Sequence, residues 1–237
     1  MAMATRPRIA ILMDENTSSG GTRYEASKGY FHGIVAAGGA PFGIPYAAEV
    51  IPTVLQSFDG LLCVGGRFAC PADWYEHGSH SSLESDRLAV ERVLIEEFLE
   101  ADRPVLGICA GMQVLACLHG GRLVADIAEW RPTALPHNGA EVPHSVQIAP
   151  GTLLHKILGV DALDVNSFHD EALAGVSAPL RVSALAPDGI IEAIELPTRT
   201  FALGIQWHQE LFASRSHVGN RIFEAFVSAS NGNSLPR

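Results

Sequence analysis

The sequence predicts an α/β fold with a mainly parallel central sheet and an added antiparallel hairpin. Three observations predict it. Short apolar runs alternate with helical patterns through the first half of the chain, as β-α-β-(α)-β-α-β-α. Strands separated by helices pair in parallel through right-handed crossovers. In the second half strand-like runs come closer together, and Pro187-Asp188-Gly189 between two of them is a turn signal of the kind that joins a hairpin.

Taken in order, Arg8 to Asp14 (RIAILMD) is a first buried strand and Asn16 to Gly21 a polar loop. Tyr24 to Ala37 reads as a helix that Gly38-Gly39 stops. Pro41 to Tyr46 is a second strand. Gly60 to Val64 (GLLCV) is a third, punctuated by Gly65-Gly66. A polar and aromatic loop follows from Phe68 to Ser82. Leu83 to Ala101 reads as a helix, because Leu88, Val90, Val93, Leu94, Phe98 and Leu99 fall near helical spacing with acidic residues between. Pro104 to Cys109 (PVLGIC) is a fourth strand, and Gly111 to Leu118 a helix ended by Gly120-Gly121. Ser145 to Ile148, Arg181 to Ala186, Ile190 to Glu195 and Ala202 to Trp207 are strand-like, and Ser216 to Ala229 is a closing helix. No internal repeat, low-complexity tract or linker interrupts the chain, so residues 1–237 read as one domain.

Composition excludes several functions. The chain is 47% hydrophobic and 18% charged, an ordinary globular balance. Its net charge is −10 and no Lys/Arg cluster appears, which argues against a nucleic-acid partner. No run of about 18 apolar residues occurs, so no membrane span is expected. The start has no apolar stretch of secretory length. Cys63, Cys70, Cys109 and Cys117 form no C-x-x-C pair, and read as reduced thiols of a cytoplasmic protein. His77 and His80 lack a third ligand nearby, so no metal and no cofactor are expected. His32, His119, His137, His155 and His217 read as surface or helix residues. Trp74 and Tyr75 read either as pocket-mouth residues or as a packing lid.

The segment Gly107-Ile108-Cys109-Ala110-Gly111-Met112-Gln113 carries the most chemistry. An apolar strand runs directly into Cys109, then come a small residue, a glycine and a helix. This is the pattern of a nucleophile elbow, a tight strand-to-helix turn that exposes one side chain at the carboxyl edge of a sheet. The helix start favours a thiolate and offers free N–H groups to an anion. Without further support, a buried inert thiol fits the pattern equally well.

PVLGICAGMQ resembles the nucleophile segment G-[IV]-C-x-G-x-Q of class I glutamine amidotransferases. The resemblance implies a flavodoxin-like three-layer fold and a Cys-His-Glu triad, with the last two residues late in the chain. Gly204-Ile205-Gln206-Trp207-His208-Gln209-Glu210 resembles the family's G-[VI]-Q-[FW]-H-P-E. His208 and Glu210 lie two apart, so a continuing strand would point both to one face. Glu210 could then orient His208, and His208 could activate Cys109. An isolated H-x-E would read as a solvated polar pair; its place after FALGIQW, together with the elbow, favours catalysis. Gln209 stands where the family has proline, which leaves the stiffness of this turn open.

Acyl transfer needs preorganised donors for an oxyanion. The N–H of Ala110 is expected as one. Cys63-Val64-Gly65-Gly66-Arg67 resembles the family's Pro-Gly-Gly loop, and Gly66 is expected as the other, with Gly65 close behind. The family commonly has arginine where this chain has Ala110, so one charged contact is absent. Gln113 lies one helical turn past Cys109 on the same side, and the resemblance implies that it holds the bound glutamyl group. Val165-Asn166-Ser167-Phe168-His169-Asp170-Glu171 resembles V-N-S-x-H-H-Q of the branch that contains γ-glutamyl-γ-aminobutyrate hydrolases. Asp188-Gly189-Ile190-Ile191-Glu192-Ala193 and His144-x-Val146-x-Ile148 resemble further motifs of that branch. His169 and Asp170 are therefore expected to bind substrate. With Asp170 and Glu171 replacing His and Gln, a more acidic pocket wall and a cationic leaving group are expected.

Three functions compete. The first is a free-standing hydrolase acting on a small γ-glutamyl compound. The second is a glutaminase subunit that delivers ammonia to a synthase and is silent without it. The third is a non-catalytic binder on the same fold, which an intact triad argues against. The leaving amine and the oligomeric state, a homodimer included, are not fixed by the sequence.

Overall fold

The parallel sheet forms as expected, and its antiparallel part is larger than one hairpin. The computed structural model describes residues 6–15, 20–66, 70–78, 85–132, 134–139 and 144–233. Its strands in chain order are β1 (Arg8–Leu12), β2 (Asp14–Glu15), β3 (Tyr24–Glu25), β4 (Ala40–Ile44), β5 (Gly60–Cys63), β6 (Tyr75–His77), β7 (Val105–Ile108), β8 (Arg122–Val124), β9 (His144–Ile148), β10 (Ala162–Val165), β11 (Ala172–Gly175), β12 (Arg181–Leu185), β13 (Ile191–Glu195) and β14 (Ala202–Ile205). The helices are α1 (Lys28–Ala36), α2 (Ile51–Ser57), α3 (Asp86–Glu100), α4 (Ala110–Leu118), α5 (Ile127–Trp130), α6 (Leu153–Leu158) and α7 (Arg221–Ser230).

The large sheet has the order β10-β9-β12-β13-β14-β7-β5-β1-β4. From β4 to β14 all neighbours are parallel. From β14 to β10 all are antiparallel, with β12 and β13 forming the expected hairpin. A smaller sheet, β11-β8-β6, flanks it, and β2 pairs with β3. Cys63 stands level with Gly107, and Ile108 with Ile205. The chain segments leaving β5, β7 and β14 therefore emerge side by side at one carboxyl edge.

The parallel strands are buried on both faces. Ile9 and Ile11 of β1 join one apolar cluster with Leu62, Leu106, Ile108, Phe223 and Phe226. Ala10 and Leu12, pointing the other way, join a second with Leu61, Val105, Leu94, Phe98 and Met112. Period-2 alternation with apolar residues on both faces is the signature of a helix-covered parallel strand. Each fully buried Leu, Ile or Phe contributes about 1.5–3 kcal/mol.

Several boundaries move. α1 starts at Lys28, because the Ser27 side chain caps it by accepting from Gly29 N at 3.2 Å. Tyr24 pairs instead with Glu15 in β3–β2. α3 starts at Asp86, where the Ser85 hydroxyl accepts from Leu88 N at 3.0 Å. Leu83 and most of the expected Asn16 to Gly21 loop lie outside the described residues. Of the loop from Phe68 to Ser82, the ends lie outside them, and its middle forms a short 3-10 turn and β6. The final helix starts at Arg221 after a 3-10 turn at Val218–Asn220. No helix among the described residues is long and apolar enough to cross a membrane.

Candidate active site

Cys109 sits between β7 and α4 with φ 53° and ψ −109°. A non-glycine residue at positive φ costs on the order of 1–3 kcal/mol and persists only where its surroundings fix it. Here Cys109 N donates to Ile205 O at 2.8 Å, and Gln113 N to Cys109 O at 3.1 Å. The turn also needs Gly111, since a Cβ there would overlap the carbonyl of Cys63. The expected elbow is thus present, and the first N–H of α4, that of Ala110, has no carbonyl one turn back within the helix.

His208 and Glu210 are brought to the same place, but not by a continuing strand. β14 ends at Ile205, and Gln209–Phe212 is a 3-10 turn. That turn sets His208 Nδ1 2.7 Å from Glu210 Oε1. Asn166 clamps the backbone of His208 from both sides, accepting from its N–H at 2.8 Å and donating to its carbonyl at 2.9 Å. The rings of Phe168 and His208 stand nearly perpendicular, their centroids 5.8 Å apart. Gly65 faces the imidazole so closely that a Cβ would stand 2.8 Å from His208 Cε1. Burial alone would lower the pKa of His208, but its hydrogen bonds to Cys109 and Glu210, and their charges, push it up to about 10. The imidazolium form of His208 is therefore favoured in the fold.

Gln206 completes the surroundings of the sulfur, donating from Nε2 to Cys109 Sγ at 3.6 Å. Its own carbonyl oxygen accepts from Gln113 Nε2 at 3.2 Å, and Gln113 also donates to Glu171 O at 3.4 Å. Gln113 does face the site side of α4, yet its amide is engaged behind the thiol. Gln206, Asn166 and Phe168 carried no assigned role at the sequence level, although each stands inside a quoted motif.

The Gly65–Gly66 loop is held from below. Arg87, almost fully buried, donates to the carbonyls of Gly65 at 3.1 Å and Val64, and pairs with Asp14 at 2.7 Å and Glu91 at 3.1 Å. Gly65 N donates to the Tyr30 hydroxyl at 3.0 Å. Burial and the nearby Glu210 charge keep the Tyr30 phenol well above its usual pKa, hence neutral. Gly66 lines a cavity of about 310 Å³ together with Cys109, Phe168, His208, Glu210 and Leu211. Arg67 lies outside the described residues.

Other expectations change. His169 and Asp170 do not line that cavity; their neighbour Phe168 does. His169 is buried with Nδ1 2.9 Å from Glu171 O, and Asp170 is exposed, accepting from Asn138 Nδ2 at 2.7 Å. The Glu171 carboxylate accepts from Tyr75 at 3.2 Å. The acidic wall expected from Asp170 and Glu171 is therefore not built at the cavity. His137 is not a surface residue but is 3% exposed in a cluster of histidines. Trp74 packs into the core. His77 is described, and His80 lies outside the described residues. Gln209, in place of the expected proline, is fully buried: its Oε1 accepts from Trp207 Nε1 at 3.1 Å and its Nε2 donates to Asn220 Oδ1 at 2.9 Å. Stiffness that proline would give through its ring is supplied here by hydrogen bonds. All four cysteines are free and buried.

Comparison with known proteins places this geometry. Residues 7–210 match the model of the peptidase C26 family. The chain is 32% identical to the gamma-glutamyl-gamma-aminobutyrate hydrolase of Escherichia coli O157:H7, over 94% of this chain and 93% of that protein. It is 31% identical to protein NtpR of Enterococcus hirae, over 84% and 87% respectively. Among solved structures it resembles the glutaminase domain of Trypanosoma brucei CTPS, with a TM-score of 0.64 at 16% identity, over 96% of this chain and 94% of that one. That last likeness is one of fold. The match of residues 7–210 and the identity to that hydrolase over 94% of the chain show that the chain belongs to the peptidase C26 family, class I glutamine amidotransferase-like in kind.

Proposed function

We propose that the chain is a γ-glutamyl amide hydrolase that works through a γ-glutamyl thioester on Cys109. Its substrate would be a small γ-glutamyl compound, γ-glutamyl-γ-aminobutyrate or a related γ-glutamylated amine. The observation that carries this reading is the meeting of three groups at one sheet edge: Cys109 on a positive-φ turn at a helix start, His208 against it, and Glu210 Oε1 2.7 Å from His208 Nδ1. Identity of 32% to a gamma-glutamyl-gamma-aminobutyrate hydrolase supports the substrate class.

In this mechanism His208 takes the thiol proton and the sulfur attacks the γ-carbonyl carbon. Negative charge gathers on the carbonyl oxygen, where the N–H groups of Gly66 and Ala110 would receive it. The C–N bond breaks, the amine leaves with the proton from His208, and the glutamyl group stays on sulfur. A water then gives a proton to His208 and its oxygen attacks the thioester. The C–S bond breaks, and glutamate departs as Cys109 is restored. Glu210 fixes the tautomer of His208 and stabilises its cation.

Glutamate release by the purified chain tests this, with glutamine, γ-glutamyl-γ-aminobutyrate, a γ-glutamyl peptide and a γ-glutamylated polyamine as substrates. Release from a γ-glutamyl amine by the chain alone, absent in Cys109→Ala, is expected. Equal release by Cys109→Ala, or release that appears only after a synthase is added, would overturn it.

A further inference from the structure

Three histidines and a glutamate converge at the antiparallel end of the sheet, away from the cavity at Cys109. Glu192 stands on β13 and is fully buried; His144 opens β9, His137 precedes it, and His169 follows β10. One oxygen, Glu192 Oε1, has His144 Nε2 at 3.1 Å, His137 Nδ1 at 3.4 Å and His169 Nε2 at 3.6 Å.

What stands behind each ring decides the chemistry. His169 Nδ1 lies 2.9 Å from the carbonyl of Glu171, which can only accept, so Nδ1 carries the proton. His137 Nε2 lies 3.0 Å from Asp188 Oδ2, a carboxylate already fixed by the N–H groups of Leu135 and Ile190, so Nε2 carries the proton. Ser167 spends its hydroxyl proton on the carbonyl of His137 at 2.7 Å. A neutral imidazole has one N–H. Neutral His137 and His169 would each turn a lone pair toward the carboxylate of Glu192. A cation resolves this, either a second proton on His137, whose Nδ1 then faces Ser167 Oγ at 3.3 Å and Glu192 at 3.4 Å, or a metal ion in its place. Glu192 Oε2, His169 Nε2 and His144 Nδ1 are buried without a hydrogen-bond partner among the described residues. A network closed by protons alone would leave few such atoms.

The spacing fits a metal ion. Ligand atoms around a tetrahedral zinc stand about 3.3 Å apart, given bonds of about 2.0–2.2 Å. The separations of His144 Nε2 and His137 Nδ1 from Glu192 Oε1 bracket that value. Metal-bound imidazoles usually have an acceptor on the far nitrogen; Asp188 is that acceptor for His137, while Nδ1 of His144 has no partner among the described residues. We propose that Glu192, His137 and His144, whose ligand atoms all lie within 4.8 Å of one another, bind one divalent cation of the zinc class. On binding, the ligating nitrogens give any proton they carry to solvent, His144 keeps its proton on Nδ1, and Glu192 and Asp188 balance the charge of the ion. Three protein ligands leave the fourth tetrahedral position to a water. The ion ties β9 and β13 to the segment that carries His137. The sequence suggested only His77 and His80 as a metal pair, without a third ligand; His137, His144 and Glu192 come from separate stretches of chain.

The test uses Cys109→Ala protein, so that the thiol cannot compete, dialysed against chelator and titrated with Co²⁺ and then Zn²⁺. One equivalent of Co²⁺ with the intense visible bands of a tetrahedral site is expected, bleached by Zn²⁺, together with a thermal midpoint that rises with added Zn²⁺. Glu192→Gln and His144→Gln should each weaken uptake more than tenfold, whereas His32→Gln, on the exposed side of α1, should leave it unchanged. If these variants fail to fold, the titration of the intact cluster still decides. No tetrahedral Co²⁺ spectrum with an unmoved midpoint, or uptake undiminished in folded Glu192→Gln and His144→Gln, would overturn the proposal.

Discussion

Gln206 donates from Nε2 to the sulfur of Cys109 at 3.6 Å, while its carbonyl oxygen accepts from Gln113. A donor aimed at sulfur stabilises negative charge there, and a net contribution of about 0.5–1.5 kcal/mol is typical of one such bond. Gln206→Met should slow alkylation of Cys109 by iodoacetamide at neutral pH roughly twofold to tenfold. An unchanged alkylation rate in a folded variant would remove Gln206 from the account.

The raised pKa of His208 makes a stability prediction. Its ordinary value is 6.5 and its value in the fold is about 10. A group raised in this way adds stability that is fully present below 6.5 and is lost as pH rises through about 10. The urea midpoint of wild type relative to His208→Gln should therefore fall steadily across that window. A difference that stays constant or grows would contradict the pairing of His208 with Glu210 and Cys109.

Which of these features the sequence discloses depends on how local they are. The elbow was legible because its parts are consecutive: an apolar strand, Cys109, a small residue and Gly111. The hairpin was legible from Pro187-Asp188-Gly189, and β12 and β13 flank it. The pairing of His208 with Glu210 was legible as a motif, but its geometry was not, since the chain leaves β14 at Ile205 and turns. Short elements such as α6, capped by Thr152 accepting from His155 N at 3.1 Å, depend on one hydrogen bond and on packing more than on a period. Arg87 under Gly65, and Asn166 around His208, join residues 22 and 42 positions apart. No local pattern announces contacts of that kind. His137 was misread because its burial follows from partners at Asp188 and Glu192, far along the chain.

Arg87 should matter to stability more than its charge alone suggests. Removing it leaves Glu91 buried without its cation, and burial already pushes that carboxyl above its ordinary pKa despite Arg87. Arg87→Met should cost about 3–5 kcal/mol in urea unfolding. Adding Glu91→Leu should recover a large part of that loss. A single variant within about 0.5 kcal/mol of wild type, the range of an ordinary surface substitution, would show that the Gly65–Gly66 loop does not depend on this network.

Gln209 is the counterpart on the other side of the site. Gln209→Ala strips the buried indole N–H of Trp207 of its acceptor and should cost about 1–3 kcal/mol. Because the turn it fixes carries His208 and Glu210, kcat should fall while KM changes little. A variant that loses substrate binding with an unaltered kcat would place Gln209 outside the support of His208.

The central claim is that the sulfur of Cys109 carries the glutamyl group during turnover. Acid quenching of the wild-type enzyme within its first turnovers, followed by peptide mass spectrometry, tests this directly. The account predicts a γ-glutamyl adduct on the peptide containing Cys109, labile to hydroxylamine and absent from Cys109→Ala. Rapid glutamate release with Cys109 never modified, or an adduct on another residue, would contradict it.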